Sequence, residues 1–112
     1  MNAFRVLGPA RRELAGILDY SRRRYGFEAA QRYETLILRG FGLVRMEPMN
    51  TATREVDPPP AGLRSLHLRY VPQGVPTVVR SPRHLIIYRV EPGDVAVVRI
   101  LHEKMDVPAK LR

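Results

Sequence analysis

Apolar residues recur along this chain with two different periods, and the places where the period changes mark its elements. Residues 2–7, NAFRVL, partly alternate, with Phe4 and Val6 on one side and Ala3, Arg5 and Leu7 on the other, which predicts a short strand. Gly8-Pro9 ends it, and Pro9, which has no N–H to lose in a first turn, opens a helix. From Ala10 to Tyr25 the spacing is helical: Ala10, Leu14, Ile17, Leu18 and Tyr25 form one stripe, and Arg11, Arg12, Asp19, Arg22 and Arg23 lie off it. Gly26 behind Arg22-Arg23-Arg24 is a stop signal, because glycine accepts positive φ and the cations oppose the helix dipole. A second helix is predicted from Phe27 to Met46, with Ala29, Ala30, Tyr33, Leu36, Ile37, Phe41 and Val44 as its stripe. Gly40 lies beside that stripe and predicts a close approach to another element, and Pro48 closes the helix. The connection through Gly26 is short enough to force an antiparallel helical hairpin.

Residues 47–62 are polar and proline-rich, with Pro48 and Pro58-Pro59-Pro60, and read as a surface loop. Leu63 to Val71 alternates, Leu66, Leu68 and Tyr70 against Ser65, His67 and Arg69, as a half-buried strand does. Val71 to Pro82 is broken by Pro72, Gly74, Pro76 and Pro82, which leaves Thr77-Val78-Val79 as a short extended stretch at most. Arg83 to Glu91 is a strand, and Glu91-Pro92-Gly93-Asp94 is a tight turn that pairs it with DVAVVRILH, Asp94 to His102. In that last strand Val95, Ala96, Val97, Val98, Ile100 and Leu101 are apolar on both parities, so both faces are covered and the strand is interior. After Asp106, Pro108 to Leu111 forms one helical turn, capped near Asp106 or Val107. The order β-α-α-β-β-β predicts an α+β fold, a helical hairpin packed on one face of a mainly antiparallel sheet, with the other face open or covered by a partner. All 112 residues are expected to form one domain.

Composition narrows the function. The chain has no cysteine, which excludes zinc ribbons, thiol catalysis and disulfide frameworks and agrees with a cytosolic home. No run approaches the ~18 apolar residues of a membrane span, and the N-terminal stretch has no apolar segment of signal-peptide length, so export is not expected. The net charge of +8 calls for an anionic partner, nucleic acid or an acidic protein. Almost all of it is arginine, the only lysines being Lys104 and Lys110, and a GC-rich genome is a competing source of so many arginines. No metal-ligand spacing, phosphate-binding loop or dinucleotide fingerprint is present, and no cofactor is expected; Gly40-Phe41-Gly42 lies inside a helical pattern.

His67, His84 and His102 fall on three separate strand segments. A ribonuclease uses a histidine as general base on a 2′-hydroxyl and cations on the phosphorane, and Arg64, Arg69, Arg89 and Arg99 are candidates for the cations. The plainer alternative is that these side chains decorate a solvated or partner-bound face, since spacing alone does not bring them together. Arg22 to Arg24 reads either as a phosphate contact or, more simply, as a solvated helix end. Met105 beyond the last strand reads as a soft anchor for a partner or as a seal on the core edge.

Four stretches in order, RRELAGILDYSRRRYG, FEAAQRYETLILRGFGLV, GLRSLHLRY and RHLIIYRVEPGDVAVVRILHEKMD, resemble the ParE branch of the ParE/RelE superfamily of toxins from bacterial type II toxin–antitoxin systems. The RILHEKMD ending is the most specific part. The resemblance implies a small cytoplasmic toxin, neutralised by a cognate ParD-like antitoxin, that inhibits DNA gyrase, with or without its DNA, by binding and not by catalysis. Arg99, His102, Met105 and Asp106 are then the expected target contacts, and Leu14, Leu18, Tyr33 and Ile37 the expected antitoxin contacts. The alternative is a RelE-type ribosome-dependent messenger RNA endoribonuclease. Such relatives carry basic residues and an aromatic, often tyrosine, after the last strand. Here HEKMDVPAKLR has Lys104, Lys110 and Arg112 but no tyrosine, which weighs against cleavage. A third reading is an inactive member that only binds its antitoxin. Val71 to Pro82 is longer than the compact family pattern and bears on target choice.

Overall fold

The computed structural model describes residues 3–56, 62–74 and 79–111, and in these the two periods resolve into the expected order with two additions. Strand β1 (Ala3–Val6) leads into helix α1 (Gly8–Tyr25), whose first turn holds Pro9. Gly26, at φ 100°, is the single residue between α1 and α2 (Phe27–Met46). Then come β2 (Arg54–Glu55), β3 (Leu63–His67), a 3₁₀ turn over Leu68–Tyr70, β4 (His84–Glu91), β5 (Asp94–His102) and α3 (Val107–Lys110). Asn2, Pro58 to Pro60, Pro76, Thr77, Val78 and Arg112 lie outside the described residues.

The sheet runs β1-β5-β4-β3-β2. β5 lies inside it, antiparallel to β4 and parallel to β1, as its doubly apolar pattern requires. Gly93, at φ 73°, occupies the position of the β4–β5 turn that favours glycine. Opposite Ile87 and Tyr88 the register jumps from Arg99 to Val97, so Val98 is the extra residue of a bulge. The bulge resets the parity: Val95, Val97 and Ile100 all face the helices, while Val98 and Leu101 face away.

Two cores result. The larger joins Leu36, Ile37, Phe41 and Val44 of α2 and Ala10 of α1 to Leu66, Ile86, Tyr88, Val95 and Val97 of the sheet. Gly40 sits where the spacing predicted a close approach: a Cβ there would lie 2.7 Å from Ile86 Cδ1 and 3.4 Å from Leu68 Cδ2. The smaller core corrects the expectation of an open or partner-covered second face. Val56, Leu63, Ile87 and Leu101 are buried there, and Val107, which opens α3, and Leu111, which follows its last residue, pack over them.

Three other expectations are corrected. The 47–62 segment is not all loop, since Arg54–Glu55 pairs antiparallel with Arg64 and Ser65. It is held by Arg64, whose guanidinium donates to Thr53 Oγ1 at 2.8 Å. The strand expected over 63–71 ends at His67, because His67 Nδ1 accepts the Arg69 N–H and starts the 3₁₀ turn. That turn swings Leu68 and Val71 against Gly40, and leaves Tyr70 exposed where strict alternation would have buried it. Tyr25, expected on the apolar stripe of α1, is the last residue of that helix and stands 65% exposed beside Tyr20.

Candidate functional site

Sheet register, and not sequence spacing, gathers the histidines. β4 and β5 start and finish at the same end, so His84 and His102 are direct cross-strand partners with ring centroids 5.2 Å apart. β3 finishes there too, and His67 Nε2 lies 2.7 Å from Glu103 Oε1, just past β5. The other oxygen of Glu103 takes a 2.9 Å bond from Arg83. The Arg83 guanidinium, then the His67 imidazole, holds the Glu103 carboxyl down at about 2.

Tyr33 of α2 completes the cluster. Its hydroxyl accepts the Arg83 backbone N–H at 3.1 Å and shares a 2.6 Å hydrogen bond with His84 Nδ1. Burial raises the Tyr33 pKa, and burial first, then the neighbouring imidazoles of His102 and His67, lowers His84 to about 4. The bonding decides two of the tautomers. His67 Nδ1 accepts from Arg69 N and His102 Nδ1 from Lys104 N, so in their neutral forms both carry the proton on Nε2.

A cleft of about 840 Å³ opens between the hairpin and this end of the sheet. Arg32, Arg80, Arg83, Lys104, His84 and His102 give it its polar wall. Tyr20 and Tyr25 of α1 also line it, and no carboxylate does among the described residues. Arg80 and Ser81 belong to the segment before β4, whose start is tied by two hydrogen bonds between the Gln73 side-chain amide and the Val79 backbone, at 2.8 and 3.0 Å.

The residues expected at the target contact do not act as one group. Arg99 is committed within the fold: its guanidinium binds Glu13 of α1 at 2.7 Å and the Lys110 carbonyl at 2.8 Å, and the Glu13 hydrogen bonds raise its pKa. His102 lies on the cleft wall. Met105 is exposed, and Asp106 caps α3 by accepting the Ala109 N–H at 3.4 Å. Of the residues expected to meet an antitoxin, Ile37 is wholly buried and has no surface to offer, and Leu14 and Tyr33 are partly buried against the core. Leu18 is half-buried and lines a groove of about 400 Å³ between the helices with Ala15, Phe27 and Ala30. The other strand cations named from sequence, Arg64, Arg69 and Arg89, are engaged by Thr53, the Tyr70 ring and Glu91.

Sequence reasoning did not single out Glu13, Tyr20, Arg32, Arg80, Arg83 or Glu103, because their places, in bonds such as Glu13 to Arg99 and Arg83 to Glu103 or on the cleft wall, are set by residues distant in the chain. No group of three metal-ligating side chains occurs among the described residues, and no helix there is long and apolar enough to cross a membrane.

Residues 4–107 match the family model of the ParE toxin of type II toxin–antitoxin system, parDE. No curated protein sequence matches the chain significantly. Among solved structures, a chain of the chromosomal ParDE TA system from P. aeruginosa aligns with a TM-score of 0.71. The alignment covers 91% of this chain and 96% of that one at 19% sequence identity, so the likeness is one of fold.

Proposed function

Because the chain belongs to the ParE toxin family of type II toxin–antitoxin systems, we propose that it acts in the cytoplasm by binding DNA gyrase, alone or with its DNA, and is neutralised by a cognate ParD-like antitoxin. The observation that carries this reading is the extent of the family match, which runs through β5 and the RILHEKMD rim to Val107. On that rim Lys104 and Met105 are exposed beside His102, and they are the proposed target contact, with Asp106 shaping the turn that presents them. Arg99 contributes by fastening the rim strand to α1 and α3. The antitoxin is proposed to dock an amphipathic segment along the helix groove at Leu18, with the flanks of Leu14 and Tyr33.

The bonding of two histidines supports binding over catalysis. A general base must present an unprotonated nitrogen to the substrate hydroxyl, and Nδ1 of His67 and of His102 is already occupied by a backbone donor of the fold. Purified protein incubated with gyrase and supercoiled plasmid is expected to yield cleaved or unsupercoiled DNA. Untouched plasmid together with cut ribosome-bound message would replace this reading with the endoribonuclease one. Folded protein that neither damages plasmid nor slows growth would mark an inactive member.

A further inference from the structure

We propose that the cleft at the histidine end of the sheet binds a short stretch of single-stranded nucleic acid, with phosphates on its cations and a base against its exposed tyrosines. This does not depend on gyrase being the target. The chain has 11 acidic residues, yet the cleft wall carries four cations and no carboxylate among the described residues. Arg83 is shared with Glu103, whereas no ion pair among the described residues engages Arg32, Arg80 or Lys104. The smaller grooves on the helices each include acids, Glu28 and Glu34 in one, Asp19 and Glu34 in the other. Unneutralised positive charge in a concave surface concentrates anions there.

His102 fits the same ligand. With its Nδ1 accepting from Lys104 N it carries its proton on Nε2, and a phosphate or a base carbonyl accepts that proton's hydrogen bond. The aromatic wall selects among anions. Tyr20 is 60% and Tyr25 65% exposed, their rings meet edge to face at 6.5 Å, and the Arg24 guanidinium lies 5.5 Å from the Tyr25 centroid. Open phenol faces beside free cations suit an unpaired base, which stacks, while a duplex keeps its bases hidden. An acidic peptide would use the cations and leave the tyrosines idle. At about 840 Å³ the cleft is within the usual range for a bound small ligand or segment.

Fluorescence anisotropy of the whole chain with fluorescein-labelled oligo-dT and oligo-rU tests this across a salt series. Binding is expected to weaken with salt, and Arg80→Ala and Lys104→Ala should each flatten the logarithmic salt slope by about 0.7. Tyr25→Ala should weaken binding about tenfold, while Arg54→Ala, on edge strand β2 outside the cleft, should lower it no more than the loss of one distant charge. Circular dichroism checks that each variant is folded. The proposal fails if neither oligonucleotide binds at low salt, or if the cleft variants behave like Arg54→Ala. It fails equally if poly-glutamate displaces the oligonucleotide while Tyr25→Ala changes nothing, which would make the cleft an acidic-protein site. Gyrase inhibition is read in a separate assay without these oligonucleotides, so either idea can fall without the other.

Discussion

Glu13 Oε1 accepts the backbone N–H of Ile100 at 2.9 Å, so a helix carboxylate stands where β5 has run past its neighbouring strand. β1 ends at Val6, opposite Val97, and from there on β5 would expose its ladder groups on that side. The same carboxylate holds Arg99. Glu13→Ala leaves the partly buried Arg99 guanidinium with the Lys110 carbonyl but no counter-charge, and the Ile100 amide without its partner, and is expected to cost about 2 kcal/mol. Glu13→Gln, which can still accept from Ile100, should cost less. Urea unfolding with an unchanged m-value is the measurement.

Arg99 and Met105 separate support of the rim from contact by the rim. Arg99→Ala should lower stability, and a double-mutant cycle with Glu13→Ala should return a coupling of about 1–2 kcal/mol. Met105→Ala removes an exposed side chain, so its stability should stay within about 0.5 kcal/mol of the parent. Its gyrase inhibition should nevertheless fall. If Met105→Ala inhibits fully, the target contact lies elsewhere on the chain.

Acid should unfold the protein in two overlapping stages. His84 has a folded pKa of about 4, below the ordinary 6.5, so the unfolded chain binds its proton first and stability drops as pH falls from about 6.5 toward 4. Glu103 has a folded pKa of about 2 against 4.5, so its contribution is present above pH 4.5 and is lost between about 4.5 and 2. His84→Asn, whose Oδ1 can accept from Tyr33, should flatten the upper stage and leave the lower one. Melting temperature against pH, for both proteins, checks it.

Two glycines two residues apart on α2 should respond in opposite directions. Gly42 has nothing within 4 Å of a built Cβ, so Gly42→Ala should gain about 0.5–1 kcal/mol from helix propensity. Gly40→Ala would press on Ile86, which is fully buried, and should lose about 1 kcal/mol net despite the same gain. Parallel denaturation curves decide the signs.

The elements that could be read from sequence are those whose signal is local. The stripe from Ala30 to Val44, Gly26 between the helices and the Glu91–Asp94 turn each state their structure within a few residues, and the structure agrees. Parity on β5 announced an interior strand but not the bulge at Val98 that makes the parity possible. β2 could not be seen because two exposed residues, Arg54 and Glu55, pair through backbone alone. The strand over 63–71 was overestimated because its alternation continues through a turn started by a side chain, His67. At the site, the histidines were visible as residues but not as a cluster. Their meeting depends on the register His84↔His102 and on Tyr33 reaching across from α2, 51 positions away.

The parallel pairing of β1 with β5 joins the earliest strand to the latest. During synthesis β1 and α1 emerge before β5, so β1 must wait for its backbone bonds and α1 for the Glu13 bond that ties it to the sheet. This seam at the β1 edge of the sheet therefore closes only after every element between the two strands has been made, a long-range closure of the kind that slows folding. Until that closure, the stretch of β5 that Glu13 covers in the finished fold has no helix carboxylate beside it, and the Arg99 guanidinium has no anchor on α1.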